Sequence, residues 1–310
     1  MKSIIKQSSK KAAFTIVELL VVMSIIMVLM GILLPAFNTA KKYAKKLSQK
    51  AQFHSIDAGL EMFKNDTESY PDSGRYDLNV EEYCGAMKLA EAMMGQDLLG
   101  YHTDSLLNCD DEKPANTEWP RGLYPDPFDP ENIPDDLENL RVRRGPYVTV
   151  ENARAHKLRQ LYADTGVFSS CGEARYLLCD VYARITNRTL GVLPEDGGDR
   201  KIGMPVLYYK ANVSNILHAY DKVDESIYDY RDNIELLRLK VPWDQLNTDH
   251  PLFNDPTGGS PGEGELFYEI MKNKDITVVD RPVMDEEYIL ISAGYDGLYG
   301  TRDDVFNFGK

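Results

Sequence analysis

Twenty-one consecutive residues, Phe14 to Leu34, read FTIVELLVVMSIIMVLMGILL and carry a single charge, Glu18. At about 1.5 Å of rise per residue, an α-helix of this length crosses the ~30 Å hydrocarbon core of a bilayer. A secretory signal peptide is one competing reading, but its apolar core runs to about 7–15 residues and is followed by a small-x-small cleavage site. Here the run is longer, and Asn38-Thr39-Ala40 is a poor site. A plain signal anchor leaves Glu18 unexplained, because a charge near the membrane core costs roughly 3 kcal/mol on insertion scales. An intramembrane carboxylate needs a partner.

A leader with four lysines, Lys2, Lys6, Lys10 and Lys11, ends in Ala12-Ala13 and passes into Phe14-Thr15-Ile16-Val17-Glu18-Leu19-Leu20. The passage resembles the processing motif of the type IV pilin and pseudopilin family, usually written G-F-T-L-x-E, with Ala13 where glycine is usual. The resemblance implies that prepilin peptidase cuts between Ala13 and Phe14 and methylates the new Phe14 amine. It also implies that Glu18 meets the N-terminal amine of a neighbouring subunit, a charge pair that is strong in low dielectric and sets the axial stagger. Pro35 ends the apolar run at a position where the family also carries a proline, and is expected to kink or loosen the helix.

Lysines flank both ends of the span, so the positive-inside rule does not orient it. The processing motif implies a single-pass inner-membrane protein with a cytoplasmic N-terminus and a periplasmic or extracellular body. Beyond Pro35, the residues Phe37, Ala40, Ala44, Leu47, Ala51, Ile56, Leu60 and Phe63 recur at mostly helical spacings, so the helix is expected to continue out of the membrane. The stretch from Ala58 to Asp66, leading into Glu68-Ser69-Tyr70-Pro71, is similar to the A-L-x-x-Y-x-x-D-x-G-x-Y-P passage of major pseudopilins of type II secretion. There the helix should stop, because Pro71 prevents its continuation.

These readings predict a leader (1–13), a membrane helix (14–35), its periplasmic extension (36–66) and a globular body (67–310) with a large insertion at about 80–280. The expected fold class is α+β, with a small antiparallel sheet against the long N-terminal helix. Within the body, helical patterning covers 80–95 and Gly172 to Arg184, and strands are expected at Pro146 to Val150, Pro205 to Ala211 and Tyr288 to Ser292. Residues 110–137 read as a long surface loop, and Gly197-Gly198 and Gly258-Gly259 mark turns. Met87, Met93 and Met94 are expected in the core.

The net charge of −14 hides an asymmetry, since nine lysines stand in the first fifty positions. The acidic remainder disfavours nucleic acid, which needs clustered Lys and Arg, and favours divalent cations. Cys84, Cys109, Cys171 and Cys179 form no C-x-x-C pair, so thiolate metal binding is not expected. Outside the cytoplasm they allow one or two disulfides, with three connectivities open. His54, His102, His156, His218 and His250 are scattered, with no H-E-x-x-H, G-x-S-x-G or phosphate loop, so no enzyme is expected.

The most chemical passage is the last, Ile291-Ser292-Ala293-Gly294-Tyr295-Asp296-Gly297-Leu298-Tyr299-Gly300-Thr301-Arg302-Asp303-Asp304, in which a strand runs into a glycine-rich, acid-rich loop. Such a loop is either a polar turn, with Gly297 and Gly300 at positive φ and the aspartates capping amides, or a site for a hard cation, which takes six to eight oxygens. Major pseudopilins carry a similar S-x-G-x-D-G ending that binds calcium. The resemblance thus implies Ca²⁺ at this loop, with Asp296, Asp303 and Asp304 in the acidic positions. Taken whole, it implies a structural subunit of a type II secretion pseudopilus or type IV pilus-like filament. The implied partners are further copies of the chain, prepilin peptidase and an inner-membrane assembly platform. Within that resemblance the C-terminal loop favours the pseudopilus over a true pilus, whose major subunit often ends in a disulfide-closed loop, since no cysteine lies after Cys179. The alternative is a membrane-anchored ligand-binding or adhesin module on the cell surface.

Overall fold

The computed structural model describes residues 15–78, 80–109, 123–124, 137–162, 164–169, 175–183, 185–186, 201–242, 249–252 and 264–309. It divides into two units, Met1–Ala44 and Lys45–Lys310. One helix, α1 (Ile16–Thr67), runs through both and carries on through Pro35 rather than breaking there. In the first unit its side chains are exposed and, from Leu19 to Phe37, almost all apolar, and the helix is long and apolar enough to cross a membrane.

The second unit is α+β. Its chain order after α1 is α2 (Gly85–Met94), α3 (Leu137–Val142), α4 (Val150–Ala153), β1 (Ala155–Lys157), α5 (Leu158–Leu161) and β2 (Tyr176–Leu178). There follow β3 (Ile185–Thr186), β4 (Lys201–Ile202), β5 (Leu207–Lys210), α6 (Ile234–Arg238), α7 (Glu265–Met271), β6 (Tyr288–Ser292) and β7 (Val305–Phe306). β1 pairs with β2 and β3 with β4, while β5, β6 and β7 form an antiparallel sheet with β6 in the centre. Every residue of β6 is buried, as expected of a strand covered on both faces. Tyr288 and Leu290 join Tyr208 in the cluster that holds Phe53, Ile56 and Leu60 of α1, whereas Ile289 and Ile291 join Tyr209 and Phe267 in a second cluster.

The body grips α1 by shape and by polar ties. Phe53, Ile56, Leu60 and Phe63, spaced three or four residues apart, share one helix face and are buried. At Gly59 an added Cβ would lie 2.7 Å from Val148 Cγ2 and 3.0 Å from Met93 Sδ, so glycine permits the close approach. Three acids of α1 accept tyrosine hydroxyls: Asp57 from Tyr288 (2.9 Å), Glu61 from Tyr70 (2.5 Å) and Asp66 from Tyr147 (2.8 Å). Gln52 Nε2 donates to the carbonyls of Asn152, Ala153 and Cys179, and Gln49 Oε1 accepts the Val181 amide.

Several local expectations need correction. Tyr176–Leu178 is a strand, not part of a helix over Gly172 to Arg184, because Ala155–Lys157 offers it a ladder; a short apolar run is ambiguous until its partner is known. Pro146 to Val150 is not a strand: Thr149 accepts the Asn152 amide and starts α4, while Val148 turns into the core. Leu123 and Tyr124, in the expected surface loop, are buried, with the Tyr124 hydroxyl accepting the His102 amide. The other residues of that loop before 137, and both glycine pairs, lie outside the described residues. α2 is buried on all sides, its Lys88 held by Asp72 (2.6 Å) and its Glu91 by Tyr83, Ser105 and Gln96. Met87, Met93 and Met94 are core residues. Cys109 is disulfide-bonded, Cys84 and Cys179 are free and buried, and Cys171 lies outside the described residues.

Candidate functional site

Ala13 and Phe14 lie outside the described residues; Glu18 is in the first turn of α1. Its Oε2 accepts the Thr15 amide (2.9 Å) and the Thr15 hydroxyl (2.7 Å), while Thr15 Oγ1 accepts the Glu18 amide (3.3 Å). This is a capping box, in which two helix-start amides that lack intrahelical acceptors are satisfied reciprocally. The spelling Thr15-x-x-Glu18 announces it, and reading Glu18 only as an intermolecular partner overlooks that local role. Glu18 Oε1 has no partner among the described residues. Further along, the Ser24 hydroxyl donates to the Val21 carbonyl, so it would need no outside partner in lipid, and the Thr39 hydroxyl donates to the Pro35 carbonyl.

The acidic loop follows the central strand β6, not a sheet edge, because Val305 and Phe306 return to pair with Ser292 and Ile291. Gly294 and Gly300 have positive φ, and an added Cβ would lie 2.1 Å from the Asp303 carbonyl oxygen and 2.3 Å from the Leu252 nitrogen, respectively. Asp296 accepts the Leu298 amide (2.8 Å), Asp303 the Asp296 amide (2.9 Å) and Asp304 the Gly300 amide (2.7 Å). The three predicted aspartates therefore share one small loop and brace its backbone. Burial raises the pKa of Asp296, with Asp303 beside it adding to the effect. At Asp303 burial is outweighed by hydrogen bonds from Thr301 and Asp296, and the pKa falls. Burial pushes Asp304 up to about 8, and its Oδ1 is buried without a hydrogen-bond partner.

Residues 8–34 match the family described as the prokaryotic N-terminal methylation motif, the signal of type IV pilins and pseudopilins. The chain carries a prepilin-type N-terminus. No curated protein and no solved structure matches it. A prepilin-type motif implies processing by prepilin peptidase and filament assembly in general, and with the apolar helix it is consistent with an inner-membrane anchor.

In the body of this prepilin-type protein, Asp180 links the central strand β6 to the chain near α1, a role that sequence did not signal. Its Oδ1 accepts the amides of Tyr182 and Met204, and its Oδ2 accepts the Ser292 hydroxyl (2.9 Å). Lys45 Nζ lies 5.9 Å from the ring centres of Tyr182 and of Tyr295. Burial raises the Asp180 pKa to about 7, against the hydrogen bonds and the Lys45 charge that hold it down. An acid whose folded pKa is raised keeps its proton in the folded state after the unfolded chain has lost it. Its stabilising effect is complete below the unfolded value near 3.8 and disappears as pH rises to about 7. We predict that Asp180 costs the fold roughly 2–3 kcal/mol between pH 5 and pH 7, and that Asp180→Asn flattens this part of the profile. Thermal melts at pH 5, 6, 7 and 8 test this; parallel profiles for the two proteins would refute it.

Proposed function

We propose that the chain is a subunit of a type II secretion pseudopilus, or of a related type IV pilus-like filament, cut by prepilin peptidase between Ala13 and Phe14. The observation that carries this reading is the state of Glu18. One carboxylate oxygen caps the subunit's own helix, and the other remains for the Phe14 amine of a neighbouring subunit. In hydrocarbon such a pair relieves the cost of the buried charge and sets the register between copies. The N-terminus faces the cytoplasm, the body stands outside, and an inner-membrane platform assembles the filament. The role is structural, not enzymatic, and involves no nucleic acid. Intact-mass and N-terminal peptide spectrometry of membrane-extracted protein should find Phe14 as the first residue, carrying one methyl group. A mature chain beginning at Met1, or cut near Ala40, overturns the proposal.

We further propose that the C-terminal loop takes a calcium ion through Asp296 and Asp303, with backbone carbonyls completing the shell and Asp304 alongside. The adjacent Asp296 and Asp303 carboxylates and the partnerless buried oxygen of Asp304 suit a hard cation. Among the described residues no three His, Cys, Asp or Glu side chains form a ready cage, so carbonyl oxygens must supply much of the shell. Calcium at about 100 times its Kd would stabilise the folded loop by ~2.7 kcal/mol. The detergent-solubilised protein should melt roughly 5–10 °C higher in calcium than in chelator. Asp303→Ala should abolish that difference and Asp275→Ala should preserve it. Equal melting of the unmodified protein in both buffers leaves the loop as a polar turn.

A further inference from the structure

The body contains a cleft of about 460 Å³, lined by the turn after α1, the end of β5 and the chain between Asn212 and Asp232. This is within the roughly 300–1,000 Å³ range of small-molecule sites. One wall carries Asp232, which is only 6 % exposed. Its Oδ2 accepts the Ser73 hydroxyl (2.5 Å), while Oδ1 has no donor among the described residues. The Lys210 ammonium, also in the lining, has no hydrogen-bond or ion-pair partner among the described residues. The same holds for the Asn212 side-chain amide nitrogen and the Asn215 side-chain oxygen.

Charge balance narrows the ligand's chemistry. Of the four lining carboxylates, Asp72 is paired with Lys88 (2.6 Å), and Asp229 (2.7 Å) and Asp224 are both paired with Arg231. Burial, with the charges of Asp229 and Asp72 nearby, raises the Asp232 pKa well above the usual range and favours its neutral form. A cationic ligand therefore meets carboxylates that are already paired and the like charge of Lys210, while Asp72, Asp224 and Asp229 balance Lys88, Arg231 and Lys210 and leave no net positive charge to hold an anion. A metal ion is far smaller than the cleft and finds no three-ligand group among the described residues. A ligand with several hydroxyls suits the walls, because each hydroxyl both donates and accepts. Lys210 and the Asn212 amide supply donors, Asn215 supplies an acceptor, the neutral Asp232 carboxyl can donate or accept, and Val213, Val223 and Ile227 offer apolar surface to C–H groups.

We propose that this cleft binds a neutral saccharide of one or two rings. The inference is independent of processing and filament assembly, and its test reads neither. Isothermal titration of the detergent-solubilised full chain should use glucose, maltose, N-acetylglucosamine and N,N′-diacetylchitobiose as probes, with spermidine and inorganic phosphate as cationic and anionic comparisons. Saturable binding of at least one sugar is expected, weakened at least tenfold in Lys210→Met and in Asn212→Ala, with melting temperatures near that of the unmodified protein. Two variants are used so that misfolding of one leaves the other to decide. Failure of all four sugars to bind, tighter binding of spermidine or phosphate, or unchanged sugar affinity in a folded variant overturns the proposal.

Discussion

Replacing Glu18 with alanine should leave membrane insertion intact while abolishing filaments. Removing a carboxylate from an apolar span lowers its insertion cost by roughly 3 kcal/mol, so the variant should fractionate with membranes at least as well as the unmodified protein. The same change removes the capping box with Thr15, worth about 1 kcal/mol at a helix start, so loss of filaments in Glu18→Ala alone does not separate capping from intersubunit pairing. Glu18→Gln makes the separation. Glutamine at the third helical position also closes a capping box but carries no charge. If the pairing with a neighbour's amine drives assembly, Glu18→Gln should fail to form filaments by electron microscopy even with its helix start preserved. Normal filaments from either variant would sink the charge-pair account.

The second large effect is expected at Gly59. Valine there would direct its side chain at Val148 and Met93, where even a Cβ lies within 3.0 Å of existing atoms. Val148 is β-branched and stiff, so the clash must be relieved by moving α1 relative to the chain around Val148 within the body. We predict a loss of about 3 kcal/mol, or roughly 6–12 °C in Tm. Gly59→Ala is the informative comparison, because its methyl already meets Val148 Cγ2 at 2.7 Å while gaining up to about 1 kcal/mol of helix propensity, so it should lose stability but less than the valine variant. Differential scanning calorimetry of both variants checks the ordering. A Gly59→Val protein that melts with the parent would show that the helix is held by its polar ties and not by close packing.

Which parts of this molecule are legible without coordinates follows from the range of the forces involved. The long apolar helix, its continuation to Thr67, β5 within Pro205 to Ala211, and β6 at Tyr288 to Ser292 are carried by local patterning. A long apolar run and a β-rich segment bounded by turns each act within one element, so the residues themselves suffice. The prepilin-type motif is legible because it is one contiguous passage, whereas the capping box that Thr15 and Glu18 form inside it was overlooked although the two stand one helical turn apart. Sequence also placed Asp296, Asp303 and Asp304 in a glycine-hinged loop, where the amides they cap lie only a few residues away.

What only the tertiary structure decided depends on residues far apart in the chain. Tyr176–Leu178 became a strand because Ala155–Lys157 lies beside it, and the acidic loop came to follow a central strand because β7 folds back onto β6. Buried Lys88 and Glu91 stand in a helix that local patterning would leave with a polar face; their partners Asp72 and Ser105 arrive from other segments. Asp180 acquires its raised pKa, and Asp232 its place in the cleft wall, from burial by elements more than a hundred positions apart in the chain or from neighbours assembled around them. The residues alone determined the long apolar helix and the prepilin-type motif, because hydrophobic length and a contiguous motif are local. Fixing which polar groups are buried, and against what, required the folded body, because desolvation is a property of everything packed around a group and not of the group itself.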